Sequence, residues 1–218
     1  MHPVFQSLAN MRIVPVIVIN DVEKAVPLAK ALCDGGLPCA EVTFRTAAAV
    51  DAIRAITNEF PEMLVGAGTV LTPQQADEAI AAGAKFMVAP GLNPETVRHC
   101  QAKDVPMLPG VCTPSEIELG LSLGLDTLKF FPAEAVGGVN LLKALTAPYG
   151  KVKFVPTGGI SAANVLDYLE LKSVLACGGS WMVKDELITA GDFAKITELT
   201  REAVALAGRC SEGTIAKG

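Results

Sequence analysis

The sequence predicts a single (β/α)8 TIM barrel of the α/β class, preceded by a short N-terminal helix. Three observations carry that prediction: short β-branched apolar runs alternate with capped helical stretches, the alternation repeats eight times, and no glycine-rich fingerprint follows the first strand. Strands separated by helices must run parallel, and eight such units favour closure into a barrel. The rival is a doubly wound open sheet, but its first turn would normally carry glycines, and here that turn reads Asn20-Asp21-Val22. The 218 residues suit one domain over 1–218, because α/β barrels of this length are commonly undivided.

Each element has its own local signals. Residues 1–10 are expected to form the helix that covers one end. Ile13 to Ile19 reads as a buried parallel strand, being apolar on both faces. Asn20 with Glu23 then opens a helix that ends at Gly35-Gly36, with Pro27 expected to kink it. Cys39 to Phe44 is the second strand, followed by a helix through about Asn58, and Met63 to Gly68 is the third. Thr72-Pro73-Gln74-Gln75 supplies an N-cap, a first-turn proline and a Gln for the next helix. Lys85 to Ala89 is strand four, with Asn93-Pro94 starting its helix. Val105 to Leu108 is strand five, followed by the capping box Thr113-Pro114-Ser115-Glu116. Leu125 to Phe130 is strand six, with a helix from about Gly138 to Ala147. Val152 to Thr157 is strand seven, Ser161 caps the next helix, and Ser173 to Cys177 is strand eight. A last helix from about Ala190 to Leu206 leaves a polar tail over 208–218, expected to be mobile.

Bulk composition narrows the function classes. Half the residues are hydrophobic while only 5% are aromatic, which suits helices packed closely on a buried sheet. A formal charge of −5 argues against general affinity for nucleic acid or anionic membrane, so any anion site must be local. The six cysteines include no C-x-x-C pair and are read as thiols of a reducing compartment. With only His2 and His99, and no Cys/His cluster, neither a metal centre nor a bound cofactor is expected. No signal-like or membrane-length apolar stretch is present, so a soluble, cytoplasmic protein is expected.

Candidate site residues follow from strand periodicity. In a barrel of this kind the carboxyl ends of the strands form the active-site mouth. Lys129 stands at such an end among apolar neighbours in Leu128-Lys129-Phe130-Phe131. Such surroundings disfavour an ammonium, and a neutral amine is a nucleophile. The alternative is a strand-end lysine whose stem reaches to water. Lys153 is a second lysine, but it lies about four residues, roughly 13 Å, before the mouth. Glu41, Thr43 and Arg45 share one face of strand two by period two. Glu41 mid-strand is either functional or a structural partner of Arg45, since an unpaired charge there would be costly. On strand three, Val65, Ala67 and Thr69 share a face, and Thr157 ends strand seven, although ordinary strand composition also supplies threonines. Two glycine pairs, Gly158-Gly159 and Gly178-Gly179, follow strands seven and eight. Those loops form the usual phosphate cradle of this barrel class, although each pair alone is also compatible with a tight turn.

Taken together, several runs resemble those of the 2-keto-3-deoxy-6-phosphogluconate aldolases, which also cleave 4-hydroxy-2-oxoglutarate. They are Pro15-Val16-Ile17, Glu41-Val42-Thr43-Phe44-Arg45-Thr46, Val65-Gly66-Ala67-Gly68-Thr69-Val70, Pro90-Gly91-Leu92, Lys129-Phe130-Phe131-Pro132-Ala133-Glu134, Pro156-Thr157-Gly158-Gly159-Ile160 and Gly178-Gly179-Ser180-Trp181. The resemblance implies a metal-independent class I aldolase of the Entner–Doudoroff pathway, acting on a small phosphorylated 2-keto acid and assembled as a homotrimer. It implies that Lys129 forms the Schiff base and Glu41 transfers protons. Arg45 would hold the substrate carboxylate, and Thr69, Pro90, Phe131 and Thr157 would complete the substrate site. Gly158, Gly159, Gly178, Gly179 and Ser180 would receive the phosphate. Ala89 departs from the serine that many relatives carry before Pro-Gly. An aldolase for the galactonate epimer, a phosphosugar epimerase or isomerase, and a non-catalytic phosphosugar-binding protein are the competing readings.

Overall fold

Parallel pairing of short buried strands, with helices between them, organises the chain in a computed structural model that describes residues 1–212. The order is α1 (Pro3–Met11), β1 (Ile13–Ile17), α2 (Ala25–Asp34), β2 (Cys39–Thr43), α3 (Ala49–Glu59), β3 (Leu64–Gly68), α4 (Pro73–Ala81), β4 (Phe86–Val88) and α5 (Pro94–Ala102). There follow β5 (Met107–Leu108), β6 (Gly110–Val111), α6 (Pro114–Ser122), β7 (Thr127–Phe130), α7 (Gly138–Thr146), β8 (Lys153–Pro156), α8 (Val165–Leu169), β9 (Cys177–Gly179), α9 (Asp185–Ala190) and α10 (Phe193–Glu212). Among the described residues the strands form a six-stranded sheet, β5-β4-β3-β2-β1-β9, and a three-stranded sheet, β6-β7-β8. Parallel bridges Phe154↔Val174 and Thr157↔Gly178 run between β8 and the segment leading into and through β9.

Two apolar clusters occupy opposite faces of these strands. The larger takes Val42, Val65, Ala67, Leu128 and Phe130 together with the helices. The smaller takes Val14, Cys39, Phe86, Val88, Leu108 and Val155, with Phe5 and Leu8 of α1 packed on it. Period two then carries that second face from Cys39 to Glu41 and from Val155 to Thr157, toward the carboxyl ends. Lys129, between Leu128 and Phe130, belongs to the same face.

Several boundaries differ from expectation for identifiable reasons. Asp21, not Asn20, caps the segment after β1, accepting from the Glu23 N–H at 3.0 Å, and a 3-10 turn over Val22–Lys24 precedes α2. Pro27 consequently falls in the first turn of α2, where its missing N–H removes no helix bond, so no kink is required. The fifth strand, expected over Val105 to Leu108, is only Met107–Leu108, and a further short piece, Gly110–Val111, follows Pro109, whose ring removes the donor that a continuous ladder needs. The eighth strand begins at Cys177 rather than Ser173, so Gly178 and Gly179 are strand residues paired with Val14 and Pro15, not a turn. Asn164 rather than Ser161 immediately precedes α8. Gly191, at φ +72°, ends α9 in the left-handed region, and α10 starts afresh two residues on. Of the tail expected over 208–218, residues through Glu212 continue α10, and 213–218 lie outside the described residues.

The capping signals fare better. Thr72, Asn93 and Thr113 each accept from a backbone N–H of the helix they precede. At α6 the box is complete: the Glu116 carboxylate accepts from the N–H groups of Cys112 and Thr113 at 2.8 and 2.9 Å and from the Thr113 hydroxyl at 2.8 Å. Partial burial pushes this carboxyl up, but those donors outweigh it and hold it below the ordinary range. Its stabilisation is therefore present above the unfolded carboxylate pKa and is lost as pH falls through the lower folded value. Glu116→Ala is expected to lower unfolding free energy by about 1 kcal/mol at neutral pH. Urea denaturation at neutral and acidic pH checks this, with the difference from wild type shrinking on acidification.

Candidate active site

Lys129 lies in the centre of the three-stranded sheet, paired with Gly110 on one side and Val155 on the other. Its N–H donates to the Pro109 carbonyl at 2.9 Å. The residue is only 6% exposed, so the alternative of a stem reaching out to water is overturned. Its ammonium stands 3.5 Å from Glu41 Oε1 and 5.0 Å from the centroid of the Phe131 ring, which faces the cation with its π-density. Glu41 is 3% exposed at the middle of β2, between Val16 of β1 and Gly66 of β3.

The carboxylate fits there because β3 offers no side chain opposite it. A Cβ on Gly68 would lie 2.3 Å from Glu41 Oε1, and one on Gly66 would strike the Phe86 ring at 2.3 Å. The apolar alternation of β3 thus serves the helices, through Val65 and Ala67, while on its other face Gly68 gives room to the Glu41 carboxylate and Gly66 to the Phe86 ring. Among the described residues the ion pair of Glu41 runs to Lys129, not to Arg45. Thr43, on the same face as Glu41, donates its hydroxyl to the Ile17 carbonyl at 2.9 Å and so ties the end of β2 to β1.

Arg45 and Thr69 are brought together by a backbone feature that periodicity did not contain. Continued extension would leave Thr69 on the helix-facing side with Val65 and Ala67. Instead Thr69 has φ +59°, which reverses its direction just past β3, and its hydroxyl accepts from Arg45 Nε at 3.4 Å. A β-branched residue in that region is strained by roughly 1–3 kcal/mol, as is common where geometry serves a site. Arg45 is exposed, leaving the other guanidinium nitrogens open to an anion.

Pro90 follows β4 and is exposed, and its carbonyl approaches Gly110 so closely that a Cβ there would lie 2.0 Å away. Thr157 continues from β8 as a 7% exposed residue, bridged to Gly178. Gly178 is required at that spot, since a Cβ would fall 2.4 Å from Thr157 Oγ1. The bridge brings the two glycine pairs side by side. Gly158 and Gly159 have φ of +103° and +78°, a turn that L side chains rarely adopt, whereas Gly178 and Gly179 are extended. Ser180, exposed, is the first residue beyond β9. Lys153 sits at the other end of β8 and donates to the Lys172 carbonyl at 2.8 Å, away from this cluster.

Gly68 and Thr43 entered the sequence reading only as motif or face members, and their supporting roles were missed. The small residue repeating opposite a mid-strand carboxylate was the available signal for Gly68. The left-handed turn at Thr69 had no signal, because threonine is a poor residue for it. Among the described residues, no group of three or more His, Cys, Asp or Glu side chains is placed to hold a metal ion, and no helix is long and apolar enough to cross a membrane.

This geometry can form and break bonds next to a carbonyl: a buried amine, a carboxylate within reach of it, an open guanidinium and a glycine-lined turn. Residues 4–199 match the aldolase family described as KDPG and KHG aldolase. The chain is 50% identical over 208 residues to the 2-dehydro-3-deoxy-phosphogluconate aldolase of Treponema pallidum, covering 95% of this chain and 99% of that one. It is 55% identical over 192 residues to the KHG/KDPG aldolase of Escherichia coli, covering 88% and 90%. Among solved structures, the KDPG aldolase of Legionella pneumophila, with pyruvate captured at low pH as a covalent carbinolamine intermediate, superposes with a TM-score of 0.89 at 44% identity over 93% of this chain and 98% of that one.

Proposed function

The chain belongs to the KDPG and KHG aldolase family, and from that premise we propose that it cleaves 2-keto-3-deoxy-6-phosphogluconate to pyruvate and glyceraldehyde 3-phosphate through a Schiff base. 4-Hydroxy-2-oxoglutarate, cleaved to pyruvate and glyoxylate, is the second substrate of the same site. The observation that carries the reading is the buried Lys129 amine 3.5 Å from the buried Glu41 carboxylate.

In this mechanism Lys129 attacks the C2 carbonyl, giving a carbinolamine that loses water to a protonated imine. Glu41 accepts the proton of the C4 hydroxyl as the C3–C4 bond breaks, and the bonding electrons pass to the imine nitrogen as an enamine. The aldehyde departs, Glu41 returns its proton to C3, and hydrolysis of the imine frees pyruvate and restores Lys129. Thus one carboxylate serves both proton transfers. Arg45, steadied by Thr69, holds the C1 carboxylate in bidentate fashion. Phe131 and Pro90 wall the site, Thr157 borders it, and the N–H groups around Gly158, Gly159, Gly178, Gly179 and Ser180 receive the phosphate.

We read the two sheets as one closed (β/α)8 barrel forming a single domain. Support comes from the Thr157↔Gly178 and Phe154↔Val174 bridges at one seam and the mere Pro109 interruption between β5 and β6 at the other. A homotrimer is proposed on family grounds alone. A cytoplasmic location accords with the buried free thiols of Cys39 and Cys100, the second pushed up to about 11 by burial and then Asp77.

Incubation with 2-keto-3-deoxy-6-phosphogluconate, with and without excess chelator, tests the activity by pyruvate release. Equal release in both is expected. No release would overturn the aldolase assignment, and loss in chelator alone would overturn the metal-independent mechanism.

A further inference from the structure

The Gly158-Gly159 turn is held from two sides. On one side the Ala133 and Glu134 N–H groups donate to the Thr157 and Gly158 carbonyls at 2.8 and 3.0 Å. On the other, Asn164 donates from Nδ2 to the Gly159 carbonyl at 3.1 Å, while its Oδ1 accepts from the Ser161 N–H at 2.8 Å. Glu134 also covers the turn directly: a Cβ on Gly159 would lie 2.6 Å from Glu134 Cβ.

The Glu134 carboxylate then accepts a hydrogen bond from the hydroxyl of Tyr168, which is fully buried on α8, the helix that Asn164 precedes. Burial, and next the bond to Glu134, push that hydroxyl far above its ordinary range, so it stays a donor at working pH. These contacts close a ring, running from the loop after β7 to the glycine turn, through Asn164 to α8, and back by Tyr168 to Glu134. The same loop begins at Phe131, beside the Lys129 amine.

We propose that Glu134 and Tyr168 are positioning residues that fix the Gly158-Gly159 turn for the distal phosphate, and so make the enzyme favour phosphorylated over unphosphorylated 4-hydroxy-2-keto acids. This rests on the aldolase function proposed above. Glu134 is otherwise exposed, so the loss of its bond to Tyr168 leaves a solvated carboxylate and unties the loop that covers the turn from α8, while the backbone bonds to the turn remain. The damage should fall on phosphate binding and spare the imine.

The test is Tyr168→Phe, which keeps the buried ring. Its KM for 2-keto-3-deoxy-6-phosphogluconate is expected to rise about tenfold with kcat within about twofold, as loss of one hydrogen bond to a charged group permits. Its kcat/KM for 4-hydroxy-2-oxoglutarate, and borohydride trapping of pyruvate, should match wild type. Glu134→Gln, which keeps an acceptor, should lie between wild type and Glu134→Ala. Should Tyr168→Phe not fold, Glu134→Ala alters an exposed residue and reads the same split. An unchanged KM for the phosphorylated substrate, or an equal loss on both substrates, overturns the proposal. Failure of the wild type to trap pyruvate or cleave either substrate would instead sink the aldolase assignment, so the two failures are distinct.

Discussion

Lys129→Ala is expected to release no measurable pyruvate, a loss of about 10⁴-fold or more, because no other group supplies the covalent step. Borohydride with pyruvate should add a three-carbon unit to Lys129 in the wild type and none in the variant, read by peptide mass spectrometry. An adduct on Lys153 or another lysine would overturn the assignment. The substitution also strands Glu41, which is 3% exposed, without its cation. Removing one partner of a buried ion pair costs about 3–5 kcal/mol, so the variant should melt early. Lys129→Arg keeps a cation opposite the carboxylate but offers no nucleophile at neutral pH. A folded, inactive Lys129→Arg separates lost chemistry from lost stability.

Glu41→Gln should lower kcat by about 10²–10⁴-fold, the range that one positioned acid–base group supplies, equivalent to about 3–5 kcal/mol of barrier. The amide retains size and hydrogen-bonding capacity but cannot carry the proton between the C4 hydroxyl and C3. Imine formation should persist more slowly, so borohydride still traps pyruvate. Exchange of the pyruvate methyl protons with deuterated water, followed by NMR, isolates the enamine step and should slow in parallel with kcat. Exchange at the wild-type rate would show that another group moves the proton.

Much of this was legible before any coordinates. Glu41 and Lys129 stood out because charged residues inside apolar strands demand an explanation, and the structure answers each with the other. The helix starts at Thr72, Asn93 and Thr113 were readable because an N-cap is a local chemical need met by neighbouring residues. What escaped depends on contacts distant in sequence or on single backbone angles. Thr69 reaches Arg45 only through a left-handed φ, and Gly178-Gly179 read as a turn because glycine has no side chain to report that Thr157 and Trp181 occupy the space beside it. The Glu134–Tyr168 bond joins residues 34 positions apart with no shared motif.

Lys129 is hydrogen-bonded into a strand flanked on both sides, while the glycine turn proposed to receive phosphate is carried on a loop. The two are therefore separable units of inheritance. On the proposed roles, the bond-making pair sits within sheet ladders, and phosphate recognition sits partly on a connection between elements, the part of an α/β fold freest to change around its fixed glycines. A lineage can drift from phosphorylated sugar acids to shorter keto acids by editing that loop, keeping the same amine and carboxylate throughout.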